Sequence, residues 1–222
     1  MILLVDKPTW WTSHDVVKYV KIHGWYKKVW HAGTLDPLAT GLLLLLTDDD
    51  TKKMADIVWH DKTYTATIDL SHISDTWDKD YHDMYEEVPP PAVMPTYEQV
   101  QAAFATMTPK ASLMLPSFSA KKIWWRRMYK SARQGVVHEI QKDMDIYSIE
   151  ITEYSFPYIS IRCHVGSGTF IRSIAHHIGV LLGTWWIIEQ LRRESVWEFS
   201  VTDPTCIKDL SALQQNSMPS NT

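Results

Sequence analysis

Two hydrophobic rhythms divide this chain. "TYTATIDL" (63–70) alternates strictly, so Tyr64, Ala66, Ile68 and Leu70 share one face of a half-buried strand. The unbroken leucines 42–46 predict a buried strand, and "MILLVDKP" reads as a first strand that ends at a turn. "IYSIEITEY" and "YISIRCHV" predict two strands in a hairpin about Phe156-Pro157, and "VWEFSV" predicts a last strand. Other stretches carry the helical period. Ser13 is placed to cap a helix running to about His23, with Val16, Val17 and Val20 on one side and Gly24 stopping it. Thr96 and Gln99 form a capping box for a helix through about Met107, with Val100, Phe104 and Met107 inward. Ile171, Ile174, Ala175, Ile178, Leu181 and Leu182 follow the i, i+3, i+4, i+7 spacing of a helix that Gly183 closes. A further short helix is expected to end at Gly135, and "VPPPAVMP" is a stiff extended connector. Strands and helices mixed with a hairpin give an α+β class around a mainly antiparallel sheet.

At 222 residues the chain suits one large domain, expected over 1–202, with a polar tail over 203–222 that ends loosely. Its longest apolar run is far short of the ~20 residues that span a membrane. The N-terminus has no basic region or cleavage site, so no signal peptide is expected. Cys163 and Cys206 form no CxxC pair, which suits a reducing cytoplasm. A net charge of −4 argues against indiscriminate nucleic-acid binding, although local patches decide that question. Residues 16–35 carry four lysines and no acid, and "KKIWWRRMYKSAR" (121–133) carries six cations, three aromatics and no acid. Cations interleaved with aromatics suit a surface that tracks phosphates and stacks bases. A solvated helix face would look the same by charge alone.

Four stretches could carry chemistry. "HAGTLDPLATG" sets Asp36 in a turn at the lip of the leucine strand, five residues after His31. Tyr64 opens the alternating strand beside Lys62, Arg172 lies in the first turn of a glycine-led helix, and "LRRES" (191–195) follows that helix. Each has a plain account as turn acid, core aromatic or surface cation. Gly166 and Gly168 precede a helix without completing a P-loop or dinucleotide pattern. His60-Asp61 and His176-His177 are adjacent pairs whose side chains diverge, a weak metal signal.

"HAGTLDPLATGLLLL", "KTYTATIDL…SDTWD", "PSFSAKK…MYKSARQG" and "GSGTFIRSIAHHIGVLLG…QLRR" resemble, in order and approximate spacing, the TruB family, bacterial enzymes that make pseudouridine in the T-loop of tRNA. The resemblance covers roughly residues 1–200. It implies a pseudouridine-synthase fold: a mixed, mainly antiparallel central sheet flanked by helices, with the cleft across the sheet. It also implies that the usual C-terminal RNA-binding PUA domain is absent. By the same resemblance Asp36 matches the catalytic aspartate and Arg172 the arginine that pairs with it. Tyr64 matches the tyrosine that stacks on the target base, and His31 the loop histidine that helps hold RNA with the base flipped out. Leu191 matches a pocket wall, and Asp78 an acid near the flipped nucleotide. Phe170 stands where tyrosine is common, so that hydroxyl is missing. Lys122 joins the substrate-binding set through its basic segment. The implied reaction needs no redox step and no energy source, so no cofactor is expected. The expected partner is the T-arm of tRNA, met by a monomer, with no metal and no membrane. Two rivals stand beside this reading. A catalytically dead RNA-binding relative would have lost the aspartate or the arginine, and both are present. A phosphohydrolase using a metal at His60-Asp61 leaves the other motifs unexplained.

The chain holds 11 Trp and only 8 Gly, where usage of roughly 7% would give about 16 glycines. Against the family pattern Trp10, Trp30 and Trp185 fall where glycine is usual, and Trp124, Trp125 and Trp186 are further candidates. Either these are extra aromatics for stacking on RNA, or they are UGA codons that the source cell reads as glycine. The excess falls on glycine positions rather than on one face, which favours the second reading.

Overall fold

A computed structural model describes residues 1–79, 85–91, 93–123 and 125–215. Trp124 lies outside the described residues. In chain order the elements are β1 (Ile2–Lys7), α1 (Ser13–His23), β2 (Val29–Ala32), β3 (Thr40–Thr47), α2 (Met54–Val58), β4 (Lys62–Asp69), β5 (His72–Asp78) and β6 (Tyr85–Glu87). They continue with α3 (Tyr97–Ala105), β7 (Lys110–Met114), β8 (Lys122–Ile123), β9 (Arg126–Arg127), α4 (Met128–Ala132), β10 (Gln141–Ser155) and β11 (Tyr158–Val165). The last are α5 (Ile171–Leu182), β12 (Trp186–Val196), β13 (Phe199–Ser200) and α6 (Ala212–Gln215). The chain is α+β. It resolves into two compact units, one of residues 1–64 with 192–222 and one of residues 65–191, and it passes from one to the other within β4 and β12.

In the first unit β3 is the centre. It pairs antiparallel with β1 and β2, and parallel with the end of β12 through Arg192↔Thr40 and Arg193↔Gly41. All five leucines 42–46 are fully buried, as a strand covered on both faces requires. Thr12, not Ser13, caps α1: it accepts from the Asp15 amide while the Asp15 carboxylate takes the Thr12 amide. Val16 and Val20 bury completely on the inner side of that helix. "VWEFSV" is not a strand. Val196 pairs with Phe199 across a two-residue turn, so the segment is the bend of a β12–β13 hairpin. Ile207, inside the expected tail, exchanges backbone bonds with Leu4 and Asp6, and Cys206 and Leu210 are buried beside it.

In the second unit β10 pairs antiparallel with β11 and β7, β5 with β6, and the start of β12 runs parallel to β5. Ser155 pairs with Tyr158 across Phe156-Pro157, the expected hairpin. The Thr96–Gln99 capping box is present, and Val100, Phe104 and Met107 are buried, although α3 itself ends at Ala105. α5 buries Ile171, Ile174, Ala175 and Ile178, but Leu181 is 47% exposed, so the inward stripe stops a turn early. The basic segment is no helix face at its start. Lys122 and Ile123 pair with Arg127 and Arg126 in a small hairpin that leads into α4.

Candidate active site

The turn that carries Asp36 is held from below by the segment 7–13. Lys7 has no solvent exposure, and its ammonium donates to the carbonyls of Pro8 (2.9 Å), Trp11 (2.6 Å) and Pro37 (3.0 Å). Burying a cation is tolerable only with such saturation by oxygen. Thr9 Oγ1 donates to Leu38 O (3.1 Å), and the Trp10 amide to Pro37 O (2.8 Å). Ser13, free of the cap that Thr12 supplies, donates its hydroxyl to Leu35 O (3.1 Å) and accepts the Leu35 amide (2.9 Å). Residues 35, 37 and 38 are thus pinned by five bonds, while the Asp36 side chain stays partly exposed.

Arg193 clamps the same turn from the other side. Its side chain is 1% exposed, with Nε donating to Leu42 O (2.7 Å) and Nη2 to Gly33 O (3.1 Å). Gly41 must be glycine: φ is +97°, and a Cβ there would stand 2.2 Å from Arg193 O. The neighbouring Arg192 does different work, gripping both carboxylate oxygens of Asp6 at 3.0 and 2.7 Å. Lys62 lies beneath Gly33, donating to the carbonyls of Val58 and His60. Burial, reinforced by the Arg193 cation, pushes its ammonium down to about 8. Tyr64, in β4, is 7% exposed. His31 lies in β2 opposite Leu45 and is partly buried. Trp30 beside it is 51% exposed, with the Lys28 ammonium 5.9 Å from its ring centre.

The second unit gathers another set. Arg172, in the first turn of α5, is 3% exposed rather than a surface cation. It donates to Thr76 O (2.7 Å) and Phe118 O (3.0 Å), and its Nε lies 3.6 Å from the carboxylate of Asp78, itself 4% exposed. The Asp78 backbone is fastened by Ser74, whose hydroxyl accepts its amide (3.1 Å) and donates to its carbonyl (2.8 Å). Phe170 is the N-cap residue of α5, its carbonyl accepting from Ser173 at 2.9 Å without a side-chain cap. Leu191 is partly buried in β12, and Lys122 is exposed on its hairpin.

The rival readings look different in three dimensions. The amide of Gly166 donates to Asp145 O (2.9 Å), and Gly168 O accepts the Lys142 ammonium (2.8 Å), so that loop is bound to its own unit. His60 lies flat on Trp197, ring centres 4.2 Å apart. His176 sits between Trp77 (4.3 Å) and Trp186 (4.8 Å), and burial, then the neighbouring His177, lowers its pKa. Among the described residues no three His, Cys, Asp or Glu converge as a metal cluster.

Lys7 and Ser13 were not among the sequence candidates for the site, and Arg193 entered only within the stretch "LRRES", with no role of its own. A signal for Ser13 existed: Asp15 stands at the capping-box distance from Thr12, which frees the next hydroxyl for another task. Lys7 had no such mark, since a lysine that closes a strand is ordinarily solvated.

Residues 21–171 match the family described as TruB family pseudouridylate synthase, N-terminal domain. A relative from Chlamydia felis named tRNA pseudouridine synthase B is 38% identical over 204 residues, 90% of this chain and 84% of that protein. One of the same name from Chloroherpeton thalassium is 35% identical over 219 residues, 94% of this chain and 88% of that protein. The fold also resembles the solved structure described as a Cbf5-Nop10-Gar1 complex, with a TM-score of 0.70 and 26% identity over 93% of this chain. The present chain spans about half (51%) of the length of that matched chain.

Proposed function

The chain belongs to the TruB family of pseudouridylate synthases, and on that premise we propose that it isomerises the T-loop uridine of tRNA to pseudouridine. The observation that carries the reading is the Asp36 turn. A carboxylate is kept within reach of solvent on a backbone fixed by Lys7, Ser13 and Arg193. Such fixing suits a reaction that depends on positioning, because immobilised groups need no reorganisation in the transition state.

The isomerisation breaks the C1′–N1 bond, turns the uracil, joins C1′ to C5 and moves the C5 proton away. Asp36 starts it, either by attacking the sugar or by removing a proton from it. By the family resemblance Arg172 takes the role of the family's arginine at that position, a cation that supports the carboxylate chemistry. Asp78 is its positioning partner, since the carboxylate lies 3.6 Å from the guanidinium. Tyr64 takes the face of the flipped base, which recovers part of the few kcal/mol that unstacking costs. By the resemblance His31, Phe170 and Leu191 are each assigned to nucleotide binding, and the exposed Lys121, Lys122 and Arg127 meet phosphates of the T-arm. The enzyme acts as a cytoplasmic monomer and uses no cofactor or metal. The test is incubation with unmodified tRNA and carbodiimide mapping of pseudouridine. A new stop at the T-loop uridine is expected, and an unchanged tRNA after incubation with folded protein contradicts the reading.

A further inference from the structure

Ten described positions have φ between +48° and +97°. Five are glycines: 33, 41, 135, 168 and 183. One is Asp48, a residue type that tolerates this region. The other four are all tryptophan: Trp10 (+66°), Trp25 (+57°), Trp77 (+64°) and Trp197 (+53°). A bulky side chain in the left-handed region is an outlier, and the two ring stacks, on His60 and His176, involve only two of the four. Trp25, for example, is 79% exposed and Trp197 50% exposed, so no enclosure forces the strain on them.

Each position is one where backbone geometry asks for glycine. Trp25 follows Gly24, the cap of α1, and so takes the place just past a helix end that glycine usually fills. Trp197 is the first residue of the two-residue turn joining Val196 to Phe199. Only that residue of the pair has positive φ, the pattern of a turn whose first position belongs to glycine. Trp10 turns the chain so that its amide meets Pro37 O at 2.8 Å, beside Asp36. Trp77 lies between Thr76, whose carbonyl binds Arg172, and Asp78. Trp30 and Trp185 fall outside the left-handed set, so the backbone marks a partly different group of tryptophans from the one the sequence suggested.

We infer that positions 10, 25, 77 and 197 are glycine in the protein as its own cell makes it, their codons being UGA read as glycine. The inference stands on backbone conformation and is independent of the proposed reaction. Its consequence reaches the site. The turn beside Asp36 and the end of strand β5 at Asp78 are each set by a glycine, and the ring that stacks on His176 is absent from the working protein.

Two measurements decide it. Codon reading with peptide mass spectrometry of protein from the source cell should give UGA and glycine at all four positions. UGG codons, or tryptophan in the peptides, overturn the inference. In recombinant protein, Trp10→Gly, Trp25→Gly, Trp77→Gly and Trp197→Gly together should raise the melting midpoint. Trp11→Gly is the control and should lower it, because Trp11 packs edge-on against Tyr19 at 5.6 Å with an ordinary φ. A quadruple variant that melts below the parent overturns the inference as well.

Discussion

Asp36 and Asp78 both sit on fastened backbone, one in a turn and one at the end of strand β5, yet their surroundings are inverted. At Asp36 the backbone carries the restraint: five bonds from residues 7–13 hold positions 35, 37 and 38, and the carboxylate stays partly exposed. At Asp78 the side chain itself is enclosed, 4% exposed and beside an equally buried guanidinium. A charge that must meet a substrate has to remain reachable, so its position is fixed indirectly, through its neighbours. A charge that serves structure can be buried, provided it has a partner. Under the proposed reading, Asp36 is the chemical acid and Asp78 the positioning one.

The contrast can be broken at several points. Arg172→Ala leaves Asp78 buried beside no guanidinium and should cost about 3–5 kcal/mol in a denaturant melt. A loss below about 1 kcal/mol would show that the pair is not structural. Lys7→Met deprives three carbonyls of a charged donor and should cost about 3 kcal/mol, with a fall in kcat because Pro37 adjoins Asp36. Full turnover in that variant would separate the buried lysine from the catalytic turn.

Lys62 gives a pH signature. Its folded-state pKa of about 8 lies below the ordinary lysine value of 10.5, so the folded protein binds fewer protons between those limits. Stability should therefore rise as pH climbs from 8 to 10.5, by about 2–3 kcal/mol, and Lys62→Met should flatten that rise. An identical slope in the variant would place the titration elsewhere. The smallest effects separate two adjacent hydroxyls. Thr12→Ala should cost about 1 kcal/mol by removing the α1 cap while sparing turnover. Ser13→Ala should cost about 1–2 kcal/mol and also lower turnover, because both its bonds go to Leu35 beside Asp36. Equal kinetic effects of the two would dissolve the distinction.

What the sequence disclosed follows from how local each feature is. Strict alternation placed Tyr64, Ala66, Ile68 and Leu70 on one buried face, and the Thr96–Gln99 box placed α3, because both signals lie within a few residues. The Asp36 turn stood out through its own Gly, Thr, Asp and Pro. Its fastening did not, because Lys7 reaches 30 positions along the chain and Arg193 reaches 160. Leu181 fitted the helical period, but period says which face a residue occupies and not where its cover ends. "VWEFSV" read as a strand because a tryptophan stood at the turn position, and a glycine there would have announced the hairpin.

The central claim is that Asp36 is spent on chemistry and Asp78 on architecture. It is tested by measuring tRNA pseudouridine formation and melting midpoint for Asp36→Asn and Asp78→Asn side by side. Asp36→Asn should lose turnover on the order of 10⁴-fold with its midpoint unchanged, whereas Asp78→Asn should melt several degrees lower. An Asp36→Asn enzyme that turns over near the parent rate, or that loses stability as Asp78→Asn does, would contradict the account.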